Sequence, residues 1–194
     1  RAKGYHLMVQ PYRANDEAAA DAVANALASV RPDGFLLTPP LTDHAPVLEA
    51  LERAKVAYVR LAPTFDVERT SSIALAEVEA ARQMTLALLE LGHRRIGFVG
   101  GPADHGSSQW RLAGYRKALE ERELALDPAL VADGLFLFES GEAGGASLLR
   151  LPDRPTAIFA GNDETALGVM AAAHRLGLSI PGDLSVAGFD DSEI

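Results

Sequence analysis

Short runs of apolar residues alternate along this chain with longer segments in which apolar residues recur every three or four positions. The short runs are typical of buried β-strands, and the longer segments are typical of amphipathic helices. The strands predicted in this way cover residues 5–9, 35–37, 57–61, 95–99, 130–132, 156–160 and 184–187. The predicted helices cover residues 16–30, 43–55, 75–91, 108–122, 139–149 and 162–176. The alternation of strand and helix predicts an α/β fold with parallel, doubly wound sheets.

The alternation pauses once, at a loop rich in Pro, Thr and Ser over residues 62–72, and restarts after the helix that ends near Gly92. We therefore expect two Rossmann-like lobes, formed by residues 1–92 and 93–194. No change of composition marks a linker at this boundary. This favours two lobes connected by crossing strands over two independent domains.

Polar residues follow two of the predicted strands in the second lobe. Asn162 and Asp163 come after one strand, and Asp190 and Asp191 come after the next. The carboxyl ends of parallel strands meet at one edge of a sheet, which is where ligands bind in open α/β folds. The amide of Asn162 both donates and accepts hydrogen bonds, and the carboxylate of Asp190 accepts them, which suits a polyol. We expect Asp163 and Asp191 to fill the local capping and turn roles.

Four segments carry a resemblance to a known family: residues 91–102, 111–119, 160–170 and 180–192, which read LGHRRIGFVGGP, RLAGYRKAL, AGNDETALGVM and IPGDLSVAGFDDS. Together, over most of residues 4–194, they resemble the effector-binding region of LacI/GalR-family transcriptional repressors. The resemblance implies a two-lobed fold like that of type I periplasmic binding proteins, with a small effector, often a sugar, bound between the lobes. It also implies a homodimer. It implies further that the first strand, the helix-turn-helix head that binds DNA and the C-terminal segment lie outside this sequence, which is then truncated at both ends.

By the same resemblance, His105, Ser107 and Arg111 line the effector pocket. The guanidinium of Arg111 is a rigid fork of donors that suits a carboxylate or a pair of hydroxyls, although an Arg on a solvated helix surface is the alternative. Phe136 matches an aromatic residue that stacks on the ligand ring. An ordinary core aromatic is the alternative there, and Phe138 leaves the register open by two residues.

One segment departs from the family pattern. Relatives usually carry an acidic residue before the helix that starts near Glu77, and that residue often contacts ligand. Here Leu75 and Ala76 stand before Glu77, so this contact is either absent or made by Glu77.

Composition excludes several classes of function. With 18 basic and 27 acidic residues the net charge is −9, and no cluster of Lys and Arg is available to grip phosphates, so this segment is not expected to bind nucleic acid by itself. The sequence has no Cys, its five His lack ligand spacing, and no apolar run is long enough to span a bilayer. We expect no metal, no cofactor and a cytoplasmic location.

No phosphate-binding loop, nucleophile elbow or nucleophile–base pair is present, so we do not expect an enzyme. The leading interpretation is the effector-sensing domain of a LacI/GalR-type regulator. A periplasmic-type sugar-binding protein for uptake shares the fold and is the alternative, and a Rossmann-type enzyme is the third interpretation.

Overall fold

The structure is a computed structural model that describes residue 4, residues 6–11 and residues 18–193. By internal contacts the chain divides into two compact units, Arg1–Ala74 and Leu75–Ile194. The elements of the first unit are α1 (Ala19–Ser29), β1 (Gly34–Leu37), α2 (Ala45–Ala54), β2 (Ala57–Leu61) and β3 (Ser72–Ile73). Those of the second unit are α3 (Glu77–Glu90), β4 (Ile96–Val99), α4 (Gly106–Glu121), β5 (Val131–Ala132), α5 (Phe138–Leu149), β6 (Ala157–Ala160), α6 (Asp163–Arg175) and β7 (Ser185–Ala187).

The second unit is built on a parallel four-stranded sheet in the order β5-β4-β6-β7. Alternate residues of its central strands enter two different cores, because successive side chains of a strand point to opposite faces. Phe98 and Phe159 pack with residues of α3 and α4, whereas Val99 and Ile158 pack with residues of α5 and α6. Both faces are therefore covered, which explains why every residue of β4 and β6 is buried.

Helices α3 and α4 cross closely in the second unit. A Cβ on Gly114 of α4 would lie only 2.2 Å from the carbonyl oxygen of Val78 in α3. On the sheet side of this pair, the hydroxyl of Tyr115 donates a 2.8 Å hydrogen bond to the carbonyl oxygen of Ile96. This contact fixes α4 against β4, whose carboxyl end leads into the site described below.

The first unit has a parallel three-stranded sheet in the order β1-β2-β3. Helices α1 and α2 pack on one face of it, where Val23, Leu37 and Leu48 belong to the core. The opposite face carries Leu36 and Ile73, which are 64% and 61% exposed.

Arg60 in β2 is the largest fully buried side chain of the described residues, at 1% exposure. Its Nε donates to the carbonyl oxygen of Thr42 at 2.7 Å, and its Nη1 and Nη2 donate to the carbonyl oxygens of Asp66 and Phe65, both at 2.6 Å. Nη2 also pairs with the carboxylate of Asp43 at 2.6 Å. Arg60 thus fastens the loop after β2 to the end of the 3₁₀ turn before α2.

The predicted α/β class with parallel sheets is confirmed. The division into lobes at residue 92 stays a prediction, and α3, which precedes that boundary, lies in the second compact unit. Strand β3 falls at the end of the segment predicted as a loop. The helix predicted over residues 16–30 is present from Ala19, and residues 16 and 17 lie outside the described residues.

The strand predicted over residues 5–9 is wrong for residues 6–9, which form no strand. Tyr5 lies outside the described residues. Leu7 and Val9 are 82% and 79% exposed. Apolar residues favour the extended conformation, but a stable strand also needs a neighbouring strand and a face to bury.

Candidate functional site

The carboxyl edge of the second sheet brings together side chains from several distant segments. Arg111, in the second turn of α4, is at the centre of this group and is only 7% exposed. Its Nε donates to Oε2 of Glu77 at 2.8 Å, and its Nη1 donates to the carbonyl oxygen of Gly161 at 2.5 Å. Nη1 also lies 3.4 Å from Oδ1 of Asp190. The guanidinium is thereby fixed between the ends of β6 and β7 and the start of α3.

Two aromatic rings flank this guanidinium. The ring centroid of Phe189 lies 3.8 Å from the Arg111 Cζ atom, and that of Phe136 lies 5.4 Å from it. These distances allow cation–π attraction, which is stronger where water is excluded. The rings and the salt bridges together hold Arg111 in one orientation.

Glu77 is the first residue of α3 and is 3% exposed. Besides Arg111, it accepts a 2.9 Å hydrogen bond from the hydroxyl of Ser107, which is also buried. A carboxylate at the first turn of a helix is favoured by the helix dipole, and here it is also neutralised by a guanidinium. Glu77 therefore contacts two of the predicted site residues, Ser107 and Arg111, and a contact between Glu77 and a ligand stays a prediction.

Phe136 has a positive φ of 60° and lies in the loop before α5. Its ring covers the backbone at the ends of two strands: a Cβ on Gly101 would lie 2.3 Å from the ring, and one on Gly161 would lie 3.0 Å from it. The two glycines therefore make room for the aromatic ring. The His105 ring meets it edge to face, with the centroids 5.5 Å apart. Of the two candidates Phe136 and Phe138, Phe136 is the one whose ring lies at Arg111.

Asn162 caps helix α6. Its Oδ1 accepts a 2.9 Å hydrogen bond from the backbone N–H of Thr165, and its Nδ2 donates to the carbonyl oxygen of Phe136 at 3.1 Å. The expectation that Asp163 takes the capping role is wrong. Asn162 is the extended residue before the helix, so its side chain can fold back onto the first turn, whereas Asp163 already lies in the helix and accepts hydrogen bonds from the N–H and hydroxyl of Ser192.

Asp190 follows β7 with a φ of 108°, and its side chain is 45% exposed. Burial raises the pKa of this carboxyl above its ordinary value, and the negative charges of Asp163 and Glu77 act in the same direction. The positive charge of Arg111 opposes them. Asp190 is the acceptor of this group that is most accessible to a ligand.

The structure brings together all six predicted residues: around Arg111 lie His105, Ser107, Phe136, Asn162 and Asp190, each in contact with Arg111 or with one of its direct neighbours. Asn162 reaches the group through the Phe136 carbonyl, with both polar atoms of its side chain engaged by backbone. Sequence reasoning missed Phe189 and left Glu77 open. The position of Phe189 directly before Asp190 was the available signal, since a residue at the end of a strand reaches the same edge.

Within the described ranges, no group of three or more His, Cys, Asp or Glu side chains is arranged to hold a metal ion. The described helices include none that is long and apolar enough to cross a membrane.

Residues 85–194 match the family described as the periplasmic binding protein-like domain. The chain is 44% identical to the ribose operon repressor of Haemophilus influenzae over 110 residues, which are 57% of this chain and 33% of that protein. It resembles the structure of a LacI-family regulatory protein from Chloroflexus aggregans with a TM-score of 0.83 and 31% identity, covering 93% of this chain and 65% of that one.

A second solved structure, the complex of the transcriptional regulator CelR with cellobiose, aligns with a TM-score of 0.82 and 34% identity over 91% of this chain and 54% of that one. The chain belongs to the family of periplasmic binding protein-like domains, and it is similar to LacI-family regulators. It spans about a third of the length of the ribose operon repressor that it matches. Membership of the family agrees with the prediction of a ligand-binding domain that is not an enzyme.

Proposed function

We propose that this chain is the effector-sensing domain of a LacI-type DNA-binding transcriptional regulator. Its effector is a small, hydroxyl-rich molecule such as a sugar, bound at the carboxyl edge of the second sheet. The observation that carries the proposal is the group formed by Arg111, Asp190, Phe136 and Phe189. It combines a fixed donor, an accessible acceptor and flat apolar surfaces, the combination that suits the hydroxyls and C–H faces of a sugar.

The proposed regulator is a homodimer that works in the cytoplasm and contacts DNA through a segment that this sequence does not contain. The net charge of −9 supports the last point, because it leaves this segment poorly suited to phosphate contacts. Regulation requires that the effector bind with different affinity to the DNA-binding and DNA-free states. The names of the relatives, which are repressors and regulators, support this role over the alternative of an uptake protein.

The test is calorimetry of the full-length protein with ribose, glucose, galactose, cellobiose, adenosine and cytidine, followed by binding to DNA that the protein selects in vitro. We expect one of these compounds to bind and to change the affinity for DNA. The Asp190→Asn protein should bind that compound more weakly, by about tenfold if one charge-assisted hydrogen bond is lost. The Asp191→Asn protein is the matched control, because Asp191 is the adjacent carboxylate while the salt bridge to Arg111 is made by Asp190. Failure of all six compounds to bind would refute the proposal.

A further inference from the structure

The site described above is unusual in the charge that surrounds its only guanidinium. Arg111 faces two carboxylates, those of Glu77 and Asp190. One positive and two negative groups leave the group with a net charge of −1, and Asp163 adds a further negative charge close to Asp190. A lone Arg in a pocket attracts anions, but this one is already more than neutralised by the protein itself.

Glu77 is the decisive member of this group, because it is the one that a ligand cannot easily displace. Its carboxylate is 3% exposed, and its two oxygens are held by Arg111 Nε and the Ser107 hydroxyl. If Arg111 turned its Nε away from Glu77 to bind an incoming anion, the buried carboxylate of Glu77 would lose its counter-charge, which is strongly unfavourable. The anion would also lie next to the negative charge of Asp190, which would repel it.

We propose that Glu77 sets the charge selectivity of this site, so that it accepts an uncharged, hydroxyl-rich ligand and rejects the anionic form of the same molecule. This inference rests on the proposed function and specifies its ligand class. A hydroxyl meets the arrangement well, since it donates to Asp190 and accepts from Arg111 without adding charge. A carboxylate or phosphate on the ligand has acceptors only, and it would add a negative group to a site that already contains the carboxylates of Glu77 and Asp190.

The alternative is that Glu77 and Arg111 form a buried ion pair with a purely structural role. The two interpretations differ in one measurable property, the ratio of affinities for a neutral sugar and for its anionic partner. A structural pair changes the stability of the protein when it is removed, but it leaves this ratio unchanged. Charge selectivity requires that the ratio itself change.

The experiment measures, by calorimetry on the full-length protein, glucose against glucuronate, galactose against galacturonate and ribose against ribose 5-phosphate. In each pair that shows binding, we expect the neutral compound to bind at least about tenfold more tightly than the anionic one. This ratio corresponds to about 1.4 kcal/mol of binding free energy. Equal or tighter binding of the anionic member would overturn the inference while leaving the proposed function intact. Failure of every compound to bind would overturn both.

A variant then assigns the effect to Glu77. Glu77→Gln keeps the shape and an acceptor for Arg111 but removes one negative charge, so the preference for the neutral member should fall severalfold. Glu79→Gln is the matched control, because Glu79 lies in the same helical turn and pairs with Arg82 instead. An equal ratio in both variants would overturn the role of Glu77. The wild-type measurement needs no variant and stands as the test of the selectivity itself if the Glu77→Gln protein does not fold.

Discussion

Replacement of Arg60 by Ala should destabilise the first unit severely. The substitution removes a side chain that is 1% exposed and donates to three backbone carbonyl oxygens and the Asp43 carboxylate. These acceptors would be left without their donor, and Asp43, which is 17% exposed, would lose its counter-charge. Removal of one partner from a buried ion pair typically costs about 3–5 kcal/mol, and we expect a loss in the free energy of unfolding within that range.

Hydrogen exchange followed by mass spectrometry measures this loss in each unit separately. Peptides from α1, α2 and β2 should exchange much faster in the Arg60→Ala protein. Peptides from the second unit give an internal reference, and so does the fluorescence of Trp110, the only tryptophan, which lies in α4.

Arg69→Ala is the matched control within the same unit. Arg69 also forms a bidentate salt bridge, with Glu52, but at the surface. Exposed pairs contribute little because water and salt screen them. If Arg60→Ala and Arg69→Ala cost the same small amount, the reasoning from burial is refuted.

Two further predictions test contacts in the second unit. Asn162→Ala should lower the free energy of unfolding by about 1 kcal/mol because it removes the cap of α6. Asn162→Asp keeps the acceptor for Thr165 and should lose less. If both variants unfolded at the same temperature as wild type, the capping role would be contradicted. Burial raises the pKa of the Tyr115 phenol from 10.0 to about 12. The stability linked to this shift is full below pH 10 and is lost as the pH rises through about 12. Urea unfolding across this interval should therefore show a smaller loss for Tyr115→Phe than for wild type, and parallel losses would count against the shift.

The order of strands and helices could be predicted from the sequence because their periodicity is local. Strands β4 and β6 are continuous apolar runs between polar turns, and their burial on both faces follows from that pattern. Strand β3 has only two residues, Ser72 and Ile73, too few for a pattern to emerge. Residues 6–9 show the converse, an apolar run that forms no strand without a neighbour.

The site could be predicted only in part. The strand ends placed Asn162 and Asp190 at one edge, because the topology of a parallel sheet fixes where its carboxyl ends meet, whereas Arg111 and Phe136 followed from the family resemblance alone. The burial of Glu77 could not be predicted, since an acidic residue in the first turn of a helix is ordinarily exposed and its partner Ser107 is 30 residues away. Asn162 caps α6 because the helix begins at the next residue, Asp163. Sequence patterns locate helix ends only to within a few residues, so they did not distinguish these two positions.

The contact of the Phe136 ring with Gly101 and Gly161 constrains the order in which substitutions can accumulate at these three positions. A methyl group at residue 101 would occupy the volume of the ring. The ring must therefore become smaller or move before Gly101 is replaced in an evolving lineage. Relatives in which residue 101 carries a side chain should have lost the ring, so the aromatic residue at position 136 and the glycine at position 101 should change together.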